Sequence, residues 1–98
     1  MESLLNFEWD VDKAVLNLKK HGISFDEAKT VFFDERAFIF DDPDYSIDED
    51  RFLILGFSQH PRLLIVSHCI RGDGNVIRII SARKAGKKEA KYYEENNL

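Results

Sequence analysis

Between residues 51 and 83 apolar side chains gather into three runs of strand length, Arg51–Phe57, Leu63–Ile70 and Val76–Arg83. His60-Pro61-Arg62 and Gly72-Asp73-Gly74-Asn75 separate them. Connections this short predict antiparallel neighbours. Upstream, Ala37–Phe40 reads as a short strand stopped by Asp41-Asp42-Pro43-Asp44, and residues 7–9 (FEW) read as another. Elsewhere the period is helical. Val11, Ala14, Val15 and Leu18 recur on one predicted apolar face, behind the N-cap candidate Asp10. That helix should run to about Lys20 and end at His21-Gly22, where glycine suits a left-handed cap. Ser24 and Glu27 form a capping box, each positioned to satisfy the other's end of the turn. Ile23 is placed to staple onto Ala28, and Phe25, Ala28, Val31 and Phe32 form the buried face of this second helix. Asp34-Glu35 breaks the pattern. A last helix, Lys87–Asn96, is polar apart from Ala90, Tyr92 and Tyr93.

The order predicts an α+β fold: two N-terminal helices, an antiparallel three- to four-stranded sheet and a C-terminal helix, in a single domain over residues 1–98. The runs from 63 and 76 are apolar at both parities, so both faces of the sheet need cover. The two N-terminal helices suffice for one face. The wetter C-terminal helix covers only part of the other. A partly open face beside a basic strand end is then the expected binding surface.

Composition narrows the setting. The apolar fraction of 44% fits a folded chain. One cysteine, Cys69, excludes an internal disulfide and suits a reducing compartment. MESLLNFEWD has neither the basic start nor the long apolar stretch of a signal peptide, and no apolar run reaches membrane-spanning length, so a soluble cytoplasmic protein is expected. The net charge of −4 hides a split. Residues 1–50 carry 5 Lys/Arg and 14 Asp/Glu, a balance of −9; residues 51–98 carry 9 and 4, a balance of +5. A polyanion would prefer the second half, although the halves also suit neutralisation across the fold.

The charged residues within the strands carry the chemistry. Arg78 lies inside an apolar run, and burying a guanidinium is costly unless it is paired. Arg71 and Arg83 end strands, and Arg51 opens one. Arginine suits forked contacts to phosphate or carboxylate. The competing reading pairs these arginines with the acids of the first half. Arg78 and Arg83 are five apart, so on a regular strand they point to opposite faces. One site needs a twist or bend near Ser81-Ala82 to use both. Lys87 and Lys88 open the last helix against its macrodipole, which suits a bound phosphate or a solvated helix that tolerates the cost.

Histidine and metal chemistry are more weakly signalled. Cys69 and His68 are neighbours on a strand, so they cannot form a nucleophile–base pair. His68 has the side-chain type for proton transfer, or else is a satisfied core histidine. His21 reads as a helix-end residue and His60 as a turn residue. The three histidines show no close ligand spacing, one cysteine makes no zinc site, and Asp41, Asp42 and Asp44 form an ordinary turn as readily as a cation site. No metal or other cofactor is expected, and there is no glycine-rich phosphate loop.

One ordered set of residues is more specific. Phe7-Glu8-Trp9-Asp10, Lys13, Asn17, Lys20-His21-Gly22 and Phe25 are followed by Asp42-Pro43-Asp44, Arg51-Phe52 and Arg78–Lys84. Over nearly the whole chain this set resembles the BrnT family of toxins. The resemblance implies a RelE-like fold and a ribonuclease toxin of a type II toxin–antitoxin system, which cuts RNA and arrests translation. It implies a ribbon-helix-helix antitoxin partner, a heterotetramer built on an antitoxin dimer, and contact with operator DNA only through that antitoxin. Two positions depart from the family pattern: Tyr45 where histidine is common, and Gly86 where threonine is common. The first would remove a proton-transfer group if that position is catalytic, and the second alters a helix cap.

The expected mechanism is metal-independent attack of the ribose 2′-OH on the adjacent phosphate. Arg71, Arg78 and Arg83 are expected to hold the phosphate and His68 to move the proton, with Tyr92 or Lys84 in reserve. Lys84, Lys87, Lys88 and Tyr92 are the expected RNA contacts. The alternative is a non-catalytic module whose arginines dock an antitoxin and help regulate its operon.

Overall fold

A computed structural model describes residues 5–43 and 50–98. Asp44 and Tyr45 lie outside the described residues. In chain order the elements are β1 (Asn6–Glu8), α1 (Val11–His21), α2 (Phe25–Thr30) and a 3-10 turn (Val31–Phe33). They continue with β2 (Phe38–Asp41), β3 (Arg51–Phe57), β4 (Leu63–Arg71), β5 (Val76–Lys84) and α3 (Lys87–Glu95). The strands form one sheet in the order β1-β5-β4-β3-β2. The expected antiparallel meander is present from β2 to β5. It gains a fifth strand, because β1 pairs parallel with β5 through Asn6–Val76, Phe7–Ile77 and Glu8–Arg78. The sheet is therefore mixed. No local signal announces a pairing between segments seventy residues apart in sequence.

The helix starts are set by side chains. Asp10 accepts from the backbone N–H of Asp12 at 2.8 Å and of Lys13 at 3.3 Å. Gly22 closes α1 in the left-handed region, at φ 71°. Ser24 caps α2 by accepting from Glu27 N at 3.0 Å. The capping box is only half made, because the Glu27 carboxylate turns inward to Arg62 and Ser58. The Arg62 hydrogen bonds hold this carboxyl below the usual range against the opposing effect of burial. An unpaired carboxylate there would be costly, and this pairing outweighs the cap.

Both faces of the sheet are covered, unequally. Helices α1 and α2 lie on one face over Ile23, Phe25, Ala28, Val31, Ile54, Leu64, Val66, Ile77, Ile79 and Ala82. Burying one such large side chain contributes roughly 1.5–3 kcal/mol, so this core supplies most of the stability. On the other face α3 sets Tyr93 over Leu55 and Ile65, with Phe38, Phe40, Leu53 and Leu63 around them. Tyr93 Oη donates to Asp34 Oδ2 at 2.7 Å, and burial followed by this bond raises its pKa to about 12. That tether fixes α3 over Leu55 and Ile65, so among the described residues it does not reach the Arg78 end of β5.

Helix α1 differs from its predicted orientation. Only Ala14 of the predicted apolar face packs against the core. Val11, Val15 and Leu18 are exposed, and the inward stripe is Ala14, Asn17 and His21. The cause is the sheet edge. Strand β1 stops opposite Arg78, which leaves the outer edge of β5 without a strand partner beyond it. Asn17 fills the gap. Its Oδ1 accepts from Ala82 N at 3.0 Å, and its Nδ2 donates to Ala82 O and Ile23 O, each at 2.9 Å. A buried backbone amide needs such partners, and this need turns the helix.

Candidate functional site

A β-bulge resolves the parity of the arginines. Ser67 pairs with Ser81, but His68 pairs with Ile79, so Ile80 is an extra residue in β5. The alternation resets there. Ile77, Ile79 and Ala82 all enter the helix-covered core. Arg78, Ser81 and Arg83 therefore share the opposite face. The bend that one site requires sits one residue before the predicted Ser81-Ala82.

Cross-strand pairing arranges this face in rows. Arg51 and Arg78 both pair with Cys69, one from each side. Two strand spacings place their backbones roughly 10 Å apart. The next row holds Leu53, Ser67 and Ser81, and the row after it Leu55, Ile65 and Arg83. Arg71 lies on the same face at the end of β4, toward β1. Carboxylates hold Arg71, Arg78 and Arg83 among the described residues. Glu8 Oε2 accepts from Arg78 Nη1 at 2.8 Å and lies 3.8 Å from Arg71 Nε. Glu89 takes Arg83 in a fork, with two bonds of 2.8 Å. This pairing raises the Arg83 pKa and lowers that of Glu89. The Glu8 pairs match the expectation that the first half's acids neutralise these arginines, whereas Arg83 is held by Glu89 of its own half.

Between α3 and the β5 edge lies a cleft of about 450 Å³. Leu53 and Ile65 form its apolar floor, and Arg51, Ser67, Ser81, Arg83, Asp42 and Glu89 supply its polar groups. Ser67 Oγ donates to Asp42 Oδ2 at 3.0 Å in a buried contact. His21 lines the same cleft. It arrives there because Asn17, one turn earlier, pins α1 to Ala82. The cleft thus combines an imidazole, two guanidinium groups and two hydroxyls. Such a set can hold a phosphate and exchange a proton beside it.

His68 is not part of this set. Its partner Ile79 belongs to the helix-covered core, and His68 is 2% exposed. Its ring meets Phe32 edge-on at 4.8 Å and lies 6.0 Å from Phe52, with Nδ1 3.2 Å from Val66 O. Burial lowers its pKa, and the bond to Val66 only partly opposes this. The same alternation that separates it from Cys69 removes it from Arg71, Arg78 and Arg83. It fits the core-histidine reading.

The remaining predicted residues scatter. Lys84 pairs with Leu64 and so belongs to the helix side of the β5 end, where it is exposed. Lys87 and Lys88 are exposed on the first turn of α3, near Arg83 in sequence. Glu89 Oε1 accepts from Gly86 N at 2.7 Å, the reciprocal half of a capping box, while Gly86 has no side chain to cap the first turn. Tyr92 packs edge-on against Phe38 and Phe40 at 5.2 and 5.3 Å, toward β2 and away from the cleft. His21, which lines the cleft, and Asn17, which pins α1 beside it, were not among the expected site residues; their signal was the stripe Ala14, Asn17 and His21 at i, i+3 and i+7, beside an apolar one of equal helical period.

Among the described residues no group of three or more His, Cys, Asp or Glu side chains is arranged to hold a metal ion. Among them, no helix is long and apolar enough to cross a membrane. A family model for the ribonuclease toxin BrnT of type II toxin–antitoxin systems matches residues 9–89. The crystal structure of the Brucella abortus ribonuclease toxin BrnT is similar, with a TM-score of 0.64 at 22% identity, covering 85% of this chain and 99% of that one. At that identity the likeness speaks for the fold. A search of curated proteins found no match.

Proposed function

We infer, from the premise that the chain belongs to the BrnT family of ribonuclease toxins of type II toxin–antitoxin systems, that it cleaves RNA in the cleft between α3 and the β5 edge. The observation that carries this reading is the bulge at Ile80, which gathers Arg78, Ser81 and Arg83 on the open face beside Arg51.

In the proposed reaction the ribose 2′-oxygen attacks the adjacent phosphorus and loses its proton to a base. The bond from phosphorus to the 5′-oxygen breaks, and that oxygen gains a proton. The products are a 2′,3′-cyclic phosphate and a 5′-hydroxyl. Arg83 and Arg51 neutralise the charge that develops on the non-bridging oxygens. A guanidinium has five N–H donors, so the fork to Glu89 does not exhaust Arg83. His21 moves the proton, since imidazole is the side chain suited to both directions of transfer near neutral pH. Arg78 and Arg71 guide the RNA backbone across the face toward β1, and Lys87 and Lys88 draw it from the α3 side. No metal enters this reaction. Cutting RNA in this way inhibits translation. Family membership implies an antitoxin partner; we propose a ribbon-helix-helix dimer that holds two toxin chains and carries the operator contact.

Cleavage of a defined RNA by purified protein in EDTA tests this. The expected products end in a cyclic phosphate. Arg83→Ala should lose roughly 2–4 kcal/mol of transition-state stabilisation, the cost of removing one charge-stabilising donor. Arg78→Ala should lose less, mainly through binding. Activity that EDTA abolishes and Mg²⁺ restores would overturn the metal-independent reaction. A fully active Arg83→Ala protein would remove Arg83 from the site.

A further inference from the structure

Helix α1 turns its apolar side outward. Val11 is 71% exposed, Leu16 64%, Leu18 52% and Val15 49%. At helical spacing Val11, Val15 and Leu18 share one flank of α1, while Leu16 lies on the other flank, toward β5. On one side Leu16 and Ile80 meet in a groove of about 500 Å³ whose other lining residues include Lys13, Lys19 and Lys20. No carboxylate lines that groove among the described residues. On the other side Val11, Val15 and Leu18 border a smaller hollow of about 170 Å³ with Trp9 and Phe25. In a chain of net charge −4, a groove rimmed by three lysines and floored by aliphatic carbons selects for one kind of ligand. RNA would use the lysines but gain little from the aliphatic side chains, since its bases favour aromatic and arginine surfaces. An amphipathic polypeptide with apolar residues along one side and carboxylates beside them uses both.

We propose that the Leu16–Ile80 groove, rimmed by Lys13, Lys19 and Lys20, docks an acidic amphipathic segment of a protein partner, and that the docked segment closes the cleft. The groove and the cleft share His21, Ile80 and Ser81 as lining residues, so an occupant of the first covers the mouth of the second. The occlusion rests on reading the cleft as the site of RNA cleavage; the docking surface does not. In a toxin–antitoxin family the antitoxin is the partner to test. This device would neutralise the enzyme without any antitoxin residue having to mimic RNA.

The experiment measures binding of the purified cognate antitoxin to wild type, Leu16→Glu and the double variant Lys19→Glu/Lys20→Glu. Each altered side chain is exposed, so thermal unfolding should stay near wild type. Leu16→Glu should weaken binding roughly 30-fold or more, the effect of losing an interface hot spot, while cleaving RNA at the wild-type rate. The lysine variant should bind less tightly and show a shallower dependence on salt. Wild-type antitoxin affinity in Leu16→Glu overturns the docking surface. Normal antitoxin binding with lost RNA affinity makes the face an RNA track and also overturns it. So does a toxin dimer that Leu16→Glu dissociates while antitoxin affinity is unchanged. Loss of antitoxin binding alongside a wild-type protein that never cuts RNA supports the docking surface and overturns only the occlusion.

Discussion

Desolvation holds the His68 imidazole neutral, because its ring lies among Phe32, Phe52 and the helix-side core. Its folded pKa is below its unfolded one, so the unfolded chain binds the extra proton first. Stability from this residue is therefore complete above the unfolded value of about 6.5 and falls as the pH drops toward the folded value. The urea midpoint of wild type should decrease between neutral pH and moderately acidic pH. His68→Asn should flatten that decrease, since asparagine keeps a donor for Val66 O and has no proton to gain. An unchanged slope would place the acid sensitivity elsewhere. The carboxylates of Glu27 and Glu89, held low by Arg62 and Arg83, lose their contribution only at lower pH, as the pH falls through their depressed values. Asn17 acts through geometry rather than charge. Asn17→Ala leaves Ala82 N, Ala82 O and Ile23 O without their partner and should cost roughly 2–4 kcal/mol in urea denaturation. Asn17→Asp should rescue little, because it keeps an acceptor and loses both donated bonds.

The elements were legible wherever one period governed a segment. The three long strands, the Asp10 and Gly22 caps and the short turns all follow from local pattern and are present. The orientation of α1 was not legible, because its two candidate stripes have the same helical period and the deciding partner, the edge of β5 at Ala82, lies 65 residues away. The bulge is a related case. Without Ile80, β5 would alternate without a break, with Ile77, Ile79 and Ala82 inward and Arg78, Ser81 and Arg83 outward. The sequence carries the inserted residue, but only pairing with β4 shows where the ladder skips it. Gly56 reports on another contact that pattern does not reveal. A Cβ there would lie 2.9 Å from the Ala37 Cβ and 3.0 Å from Asp34 Oδ2 and Val31 Cγ1. Gly56→Ala should therefore cost about 1–3 kcal/mol by overpacking between β3 and the 3-10 turn. An unchanged midpoint would mean that this packing yields freely.

At the scale of the whole molecule, the charge split has two uses. Glu27 with Arg62 and Glu8 with Arg71 and Arg78 join the acidic half to the basic half. Arg83 is held instead by Glu89 from its own half, at the rim of the cleft. The α+β class was readable from sequence, because two helical periods, a run of closely linked strands and a last helix follow one another along the chain. That His21 lines the cleft was not, since it depends on the roll of α1 that Asn17 sets. The central claim is that the chemistry sits on the α3 side of the sheet with His21 and not on the helix side with His68. The most direct measurement is the single-turnover cleavage rate of one RNA by His21→Ala and His68→Asn, each at a temperature where it is folded. His21→Ala should cut about 100-fold more slowly or worse, as for loss of a proton-transfer group, and His68→Asn should cut near the wild-type rate. A fast His21→Ala protein beside a dead, folded His68→Asn protein would contradict the account.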